Sequence, residues 1–185
     1  MPVYAYIILA AGWLAWMIRF IIASFRRKTP RAAKVDRRAR WGMVFIAVAY
    51  ALVWQGNFWT RSPRLWRIVA SVLFFLVASV LAWTSTRALG RQWRLDAGLN
   101  ADHHLVQSGP YRLIRHPIYT SMFCMLLGTG LVLGTPLALL LPAFLLLTIG
   151  TEIRVRIEDN LLASQFGDEF WCYQRRVPAY IPFVK

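Results

Sequence analysis

Acidic side chains are scarce in this chain. Eight Asp and Glu stand against 22 Lys and Arg in 185 residues, a formal charge of +14 at pH 7. Nucleic acid is the usual partner of such an excess. Here the cations lie between apolar runs and mainly in one stretch, which suits loops facing anionic lipid, so nucleic acid is not expected as a partner. Cysteine is nearly absent as well. Cys124 falls in an apolar run and Cys172 among aromatics, neither in a CxxC nor in a spaced Cys/His set, so both read as reduced packing residues. Three histidines without HExxH spacing give no metal site. No GxGxxG, internal repeat or low-complexity segment is present. Charged residues of all kinds make up only 16%, whereas 58% are hydrophobic. A soluble domain of this size has too much surface to hide that apolar fraction, and a membrane protein is expected.

The apolar residues fall into five runs: Val3 to about Phe25, Trp41 to Trp59, Leu65 to Ser85, Ile118 to Leu133, and Leu137 to Thr151. At about 1.5 Å per residue the first is long enough to span a bilayer. No Lys or Arg precedes Arg19, so a basic leader region is missing and the run is expected to be a retained helix. Arg19 itself is placed to snorkel to the head groups. Between the first two runs, Arg26 to Arg40 carries eight basic residues against one acid, Asp36. By the positive-inside rule this loop is cytoplasmic, which puts the N-terminus outside and, after five spans, the C-terminus inside. Arg61, Arg64 and Arg67 near the next turn oppose this assignment but are outnumbered. The expected fold is all-α. Residues 1–86 form a three-helix transmembrane region, and 87–185 hold a polar connector, a helical hairpin and a C-terminal tail.

The connector from Arg87 to Arg115 contains Gly90, Gly98, Gly109 and Pro110, so it is not one helix, and loops of that length are often functional. Pro117 suits the first turn of the fourth helix with His116 at its cap, where free N–H groups can receive an anion. His, Tyr and Arg at that helix start make either a polar pocket wall or an interfacial anchor. Gly134-Thr135-Pro136 separates a tight hairpin, and Pro142 is expected to kink the last helix. That helix continues past the apolar run through Glu152, Arg154 and Glu158 to Phe166, with Gly167 as its stop. Arg154 and Glu158 stand at i and i+4, as do Glu152 and Arg156. Such pairs are ordinary surface ion pairs or, this close to the membrane, functional groups.

Two blocks carry a resemblance. Leu89-Gly90-Arg91-x-Trp93, His104-Leu105-Val106, Gly109-Pro110-Tyr111 and Arg115-His116-Pro117-x-Tyr119 form the first. Arg154, Glu158-Asp159, Leu162, Phe166-Gly167, Tyr173, Arg176-Val177-Pro178 and Ile181-Pro182-Phe183 form the second. Together, over roughly the last hundred residues, they resemble the isoprenylcysteine carboxyl methyltransferases. Asp159 stands where that family usually has a second Glu. The resemblance implies S-adenosylmethionine as cofactor, with S-adenosylhomocysteine as product. It implies a pocket that includes His104, Leu105, Val106, Gly109, Tyr111, Arg115, His116, Tyr119 and Glu158. His116 and nearby N–H groups are expected to hold the donor's carboxylate, and Glu158 its ribose hydroxyls or amino group. Arg154 is the candidate to grip a lipophilic acceptor's carboxylate, with Arg176 in reserve.

Further readings remain beside it. A phospholipid N-methyltransferase shares the cofactor but needs a base for its amine, which Glu158 or Asp159 can supply. Membrane sterol-type reductases are more distant relatives. A non-catalytic membrane subunit or transporter is the remaining class. The short Arg-rich chain suggests a prokaryotic inner membrane, with the active site facing the cytoplasm.

Overall fold

A computed structural model describes residues 1–25, 34–55, 62–100 and 102–182. Six α-helices account for most of them: α1 Val3–Phe25, α2 Ala39–Val53, α3 Leu65–Leu89, α4 Pro117–Leu133, α5 Leu137–Phe166 and α6 Asp168–Arg176. The strands among the described residues are the pairs Lys34–Val35 and Gly98–Leu99, which join antiparallel. This small ladder ties the segment before α2 to the connector after α3.

The helix boundaries follow local chemistry. Pro117 opens α4 at its first position with His116 at the N-cap, as expected. Gly134 closes it in the left-handed region, and the Thr135 hydroxyl donates to the Val53 carbonyl at 3.1 Å, which pins the hairpin to the end of α2. Gly167 ends α5 at φ 51° and ψ −123°, a conformation open in practice to glycine alone. Three boundaries differ from the sequence reading. α3 runs on to Leu89, because Thr86 folds its hydroxyl back to Ala82 and accepts from Arg19 Nε, so the polar turn is satisfied inside the bundle. Arg19 is therefore bound to α3, where its guanidinium also lies 5.6 Å from the Trp83 ring centroid. α2 ends at Val53, and the expected continuation to Trp59 reaches residues outside those described. The tail forms α6, with Asp168 and Glu169 in its first turn and Arg175 and Arg176 in its last, each complementing the helix dipole. α5 continues as one helix across Pro142.

α1, α3 (with the turn to Gln92) and α5 are long and apolar enough to cross a membrane, and α2 and α4 are shorter apolar helices. Their outer faces stay apolar: Leu14 is 68%, Leu73 59% and Leu141 65% exposed. Stripes of this kind mark contact with lipid or a partner rather than water. At 30 residues α5 measures about 45 Å, well beyond a hydrocarbon core of about 30 Å, and its charged residues all fall in its second half.

α3 packs along α4, and α2 along α5. The second contact depends on two glycines. A Cβ on Gly42 would lie 2.5 Å from the Gly150 carbonyl oxygen and 2.6 Å from Arg154 Cγ, and one on Gly150 would lie 2.7 Å from the Gly42 oxygen. The backbones therefore approach as glycine alone permits, and Gly42 leaves the space in which the Arg154 side chain lies. Gly42→Val should destabilise the fold by about 1–3 kcal/mol through overpacking and displace Arg154. Thermal unfolding in detergent, compared with Ala11→Val on the exposed face of α1, measures the loss.

Candidate active site

The start of α4 meets the middle of α5 through a network of charged side chains. Arg115, just before α4, donates through Nη1 to Asp159 Oδ2 and through Nε to the Val177 carbonyl at 3.0 Å. His116 Nε2 lies 2.9 Å from Asp159 Oδ1. A carboxylate only accepts, so this nitrogen carries the proton. Gln174 of α6 gives Asp159 a further donor at 3.2 Å. One turn away, Tyr119 donates to Glu158 Oε1 at 2.5 Å and accepts from Arg154 Nε at 2.7 Å. Arg154 Nη2 donates to Glu158 at 3.2 Å and to the Leu95 carbonyl at 3.0 Å. Glu158 Oε2 comes within 3.8 Å of His116 Nδ1, which links the two halves. Arg154 is only 5% exposed, and among the described residues its Nη1 makes no hydrogen bond.

The i, i+4 pairs of α5 thus divide. Arg154–Glu158 is inside the site. Arg156–Glu152, at 2.9 Å with Arg156 exposed and Glu152 half-buried, is a surface pair.

These groups form one wall of a cavity of about 460 Å³. Connector residues 92–99 line another side, and Leu105, Val106, Leu162, Phe170 and Tyr173 make a third, largely apolar one. Toward the bundle interior the cavity reaches Trp16, Met17, Phe20 and Ile21 of α1, Met43 of α2, and Ile118 and Met122 of α4. It is therefore polar at one end and apolar at the other. The tail is laced onto α4 by the Arg115 and His116 backbone amides, which donate to Pro178 and Ala179, and by Thr120 Oγ1, which donates to the Tyr180 carbonyl. Tyr173 donates to the Tyr111 carbonyl at 2.6 Å. Burial raises the pKa of the Tyr111 and Tyr173 phenols, so both stay protonated donors.

Of the residues singled out from sequence, Leu105, Val106, Tyr111, Arg115, His116, Tyr119, Arg154 and Glu158 line this cavity together. Three stand elsewhere. His104 is exposed and pairs through Nδ1 with Gln92 Nε2 at 3.0 Å. Gly109, at φ 60°, makes the turn that presents Tyr111. Arg176 is exposed and donates to Gln107 Oε1 at 3.2 Å. Cavity residues beyond those expected from sequence include His103, Gln92 and the α1 and α2 side chains, together with Asp159, expected only as a base. The juxtaposition of two basic-side neighbours, Arg115-His116, with two acidic ones, Glu158-Asp159, was the available signal for Asp159. Among the described residues no group of three His, Cys, Asp or Glu side chains is arranged to hold a metal ion.

Residues 66–169, more than half of the chain, match the family described as phospholipid methyltransferase. Among individual proteins, the chain is 38% identical over 85 residues to a protein-S-isoprenylcysteine O-methyltransferase of Schizosaccharomyces pombe, covering 46% of this chain and 36% of that one. The corresponding protein of Rattus norvegicus is 29% identical over 136 residues, covering 71% and 47%. Cobalt-zinc-cadmium resistance protein CzcN of Cupriavidus metallidurans is 35% identical over 154 residues, covering 68% and 66%. The chain therefore spans between a third and a half of the length of the two isoprenylcysteine methyltransferases.

Two outcomes follow from the site. Asp159→Ala leaves Arg115 without its carboxylate and should cost about 3–5 kcal/mol, whereas the apolar pair Arg115→Met with Asp159→Leu should recover much of the loss; denaturant unfolding of the three variants measures both. Burial holds the His103 imidazole below its ordinary range. Between about pH 6.5 and the lower folded value the unfolded chain binds the extra proton more readily. Stability should fall as the pH drops through that window, and His103→Asn should remove that part of the slope in melting curves.

Proposed function

The chain belongs to the phospholipid methyltransferase family, and from that membership we propose that it is an integral membrane methyltransferase. In this reading it uses S-adenosylmethionine to O-methylate a carboxylate on a lipophilic, isoprenylcysteine-like acceptor. The observation that carries the reading is the single cavity with a charged end at Arg154, Glu158, Arg115, His116 and Asp159 and an apolar end among α1, α2 and α4. A water-soluble donor and a lipid-soluble acceptor need such a meeting place.

The residues present fit the donor. The charged end matches an amino acid's opposite charges, and two buried polar atoms of the wall, Gln92 Oε1 and His103 Nδ1, have no hydrogen-bond partner among the described residues. When bound, S-adenosylmethionine supplies an electrophilic sulfonium methyl. Arg115 would hold its carboxylate, with His116 fixing Asp159 beside it because its Nε2 proton and backbone N–H are already donated within the protein, and Glu158 would hold its ammonium or ribose hydroxyls. Arg154 aligns the acceptor carboxylate through the guanidinium edge left free at Nη1. The acceptor is ionised at neutral pH, so alignment and exclusion of water are what this site must provide. Tyr119 braces Arg154 and Glu158 in that geometry. The apolar end admits the acceptor's tail from the bilayer.

The carboxylate reading is preferred over the amine one because the buried Arg154 guanidinium matches an acceptor carboxylate and repels an ammonium. Five spans, an outside N-terminus and a cytoplasmic cavity in a prokaryotic inner membrane complete the proposal. Residues 1–86 then serve as the three-helix transmembrane region and 87–185 as the methyltransferase core.

Calorimetric titration with S-adenosylhomocysteine tests the donor site. Saturable binding is expected in the wild type and its loss in Glu158→Ala. Arg154→Lys should keep donor affinity while lowering kcat/KM for the acceptor by about tenfold or more. Unchanged donor binding and turnover in both variants would refute the assignment.

A further inference from the structure

We infer that Gln92 is the residue that recognises the base of the methyl donor, its Oε1 accepting a hydrogen bond from the amino group of adenine. This rests on the proposal that the cavity binds S-adenosylmethionine. Gln92 closes the turn that follows α3 and is only 6% exposed. Its amide orientation is set by its neighbours. The Asp102 carbonyl can only accept, so Nε2 faces it at 3.4 Å, and the same nitrogen meets His104 Nδ1 at 3.0 Å. The oxygen is then the remaining amide atom, itself buried, on a residue that lines the cavity, and among the described residues it has no partner. A buried acceptor without a donor is costly, and such an atom is kept where a ligand completes it.

The surroundings say which part of the ligand this is. His103 Nδ1 is a second buried atom without a partner in the same wall. Burial lowers the His103 pKa, so the ring sits there neutral. Leu105, Leu162 and Phe170 supply the apolar surface of this part of the cavity. An apolar slot with two neutral hydrogen-bonding atoms suits a flat heteroaromatic ring that has an amino group beside a ring nitrogen. The donor's charged amino-acid end is served by the separate cluster around Asp159 and Glu158. His104, exposed, acts through Gln92 by holding its amide nitrogen, which makes it a positioning residue.

The test is calorimetry on the full chain in lipid nanodiscs with S-adenosylhomocysteine and with S-inosylhomocysteine, in which a carbonyl oxygen replaces the amino group. The wild type should favour the adenosyl compound by about tenfold or more, because the inosyl oxygen would face Gln92 Oε1 with no proton between them. Gln92→Leu and the closer-shaped Gln92→Met should both bring the ratio within about twofold. A wild-type ratio near one, which needs no variant and so no folding control, overturns the assignment and leaves the donor site standing. A tenfold preference retained in a folded Gln92 variant overturns it too. Failure of the wild type to bind either compound overturns the donor site itself, and this inference with it.

Discussion

Two carboxylates on α5 hold the start of α4, α6 and the tail in one place. Asp159 receives Arg115, His116 and Gln174, and Glu158 receives Tyr119 and Arg154. Charges as buried as Asp159 and Arg154 are tolerated when every partner is present and are severely destabilising when one is missing. The network therefore acts more as a constraint on register than as a source of stability. α4 can meet α5 only where Arg115-His116 faces Glu158-Asp159. Once that contact is made, the Val177 carbonyl on Arg115 Nε and the Tyr180 carbonyl on Thr120 bring the tail across the helix start. The cavity is what remains between this knot, the connector and the apolar helices.

Much of the framework was legible in the sequence because its signals are local. Pro117 and the Gly134-Thr135-Pro136 step bound α4 where their backbone chemistry requires, and Gly167 ends α5 for the same reason. Arg154 and Glu158, one helical turn apart, form the pair that their spacing implies. What was hidden depends on distance in the chain. The Gly42–Gly150 approach that makes room for Arg154 joins residues on different helices, and neither glycine is distinguished by its own neighbourhood. His103 and His104 are adjacent in the chain, yet only His103 lines the cavity. The contribution of Trp16, Phe20 and Met43 could not be read from runs that look like generic spans. α6 is nine residues long, too short for periodicity to announce it, although its terminal charges were arranged for a helix.

The length of α5 links this architecture to its proposed chemistry. In the proposed arrangement its apolar first half lies in the lipid, and its second half carries Arg154, Glu158 and Asp159 beyond the hydrocarbon layer. One rigid element thus connects the phase that dissolves the proposed acceptor with the phase that dissolves the proposed donor. Residues 66–169, the part shared with the phospholipid methyltransferase family, include α4, the connector and nearly all of the network. Arg19, held to Thr86 and Trp83, fastens α1 to α3 beside the connector, so the first helix is fixed against the apolar end of the cavity.

The most direct measurement is methyl transfer itself. Membranes containing the protein would be incubated with methyl-labelled S-adenosylmethionine and a prenylated cysteine with a free carboxylate, and the lipid product then treated with alkali. The account predicts labelled product that releases volatile methanol, the mark of a methyl ester, and none with Glu158→Ala. Label that stays on the lipid through alkali would contradict carboxylate chemistry and point to an amine acceptor. No transfer to any lipid by a protein that binds S-adenosylhomocysteine would contradict the account of the acceptor.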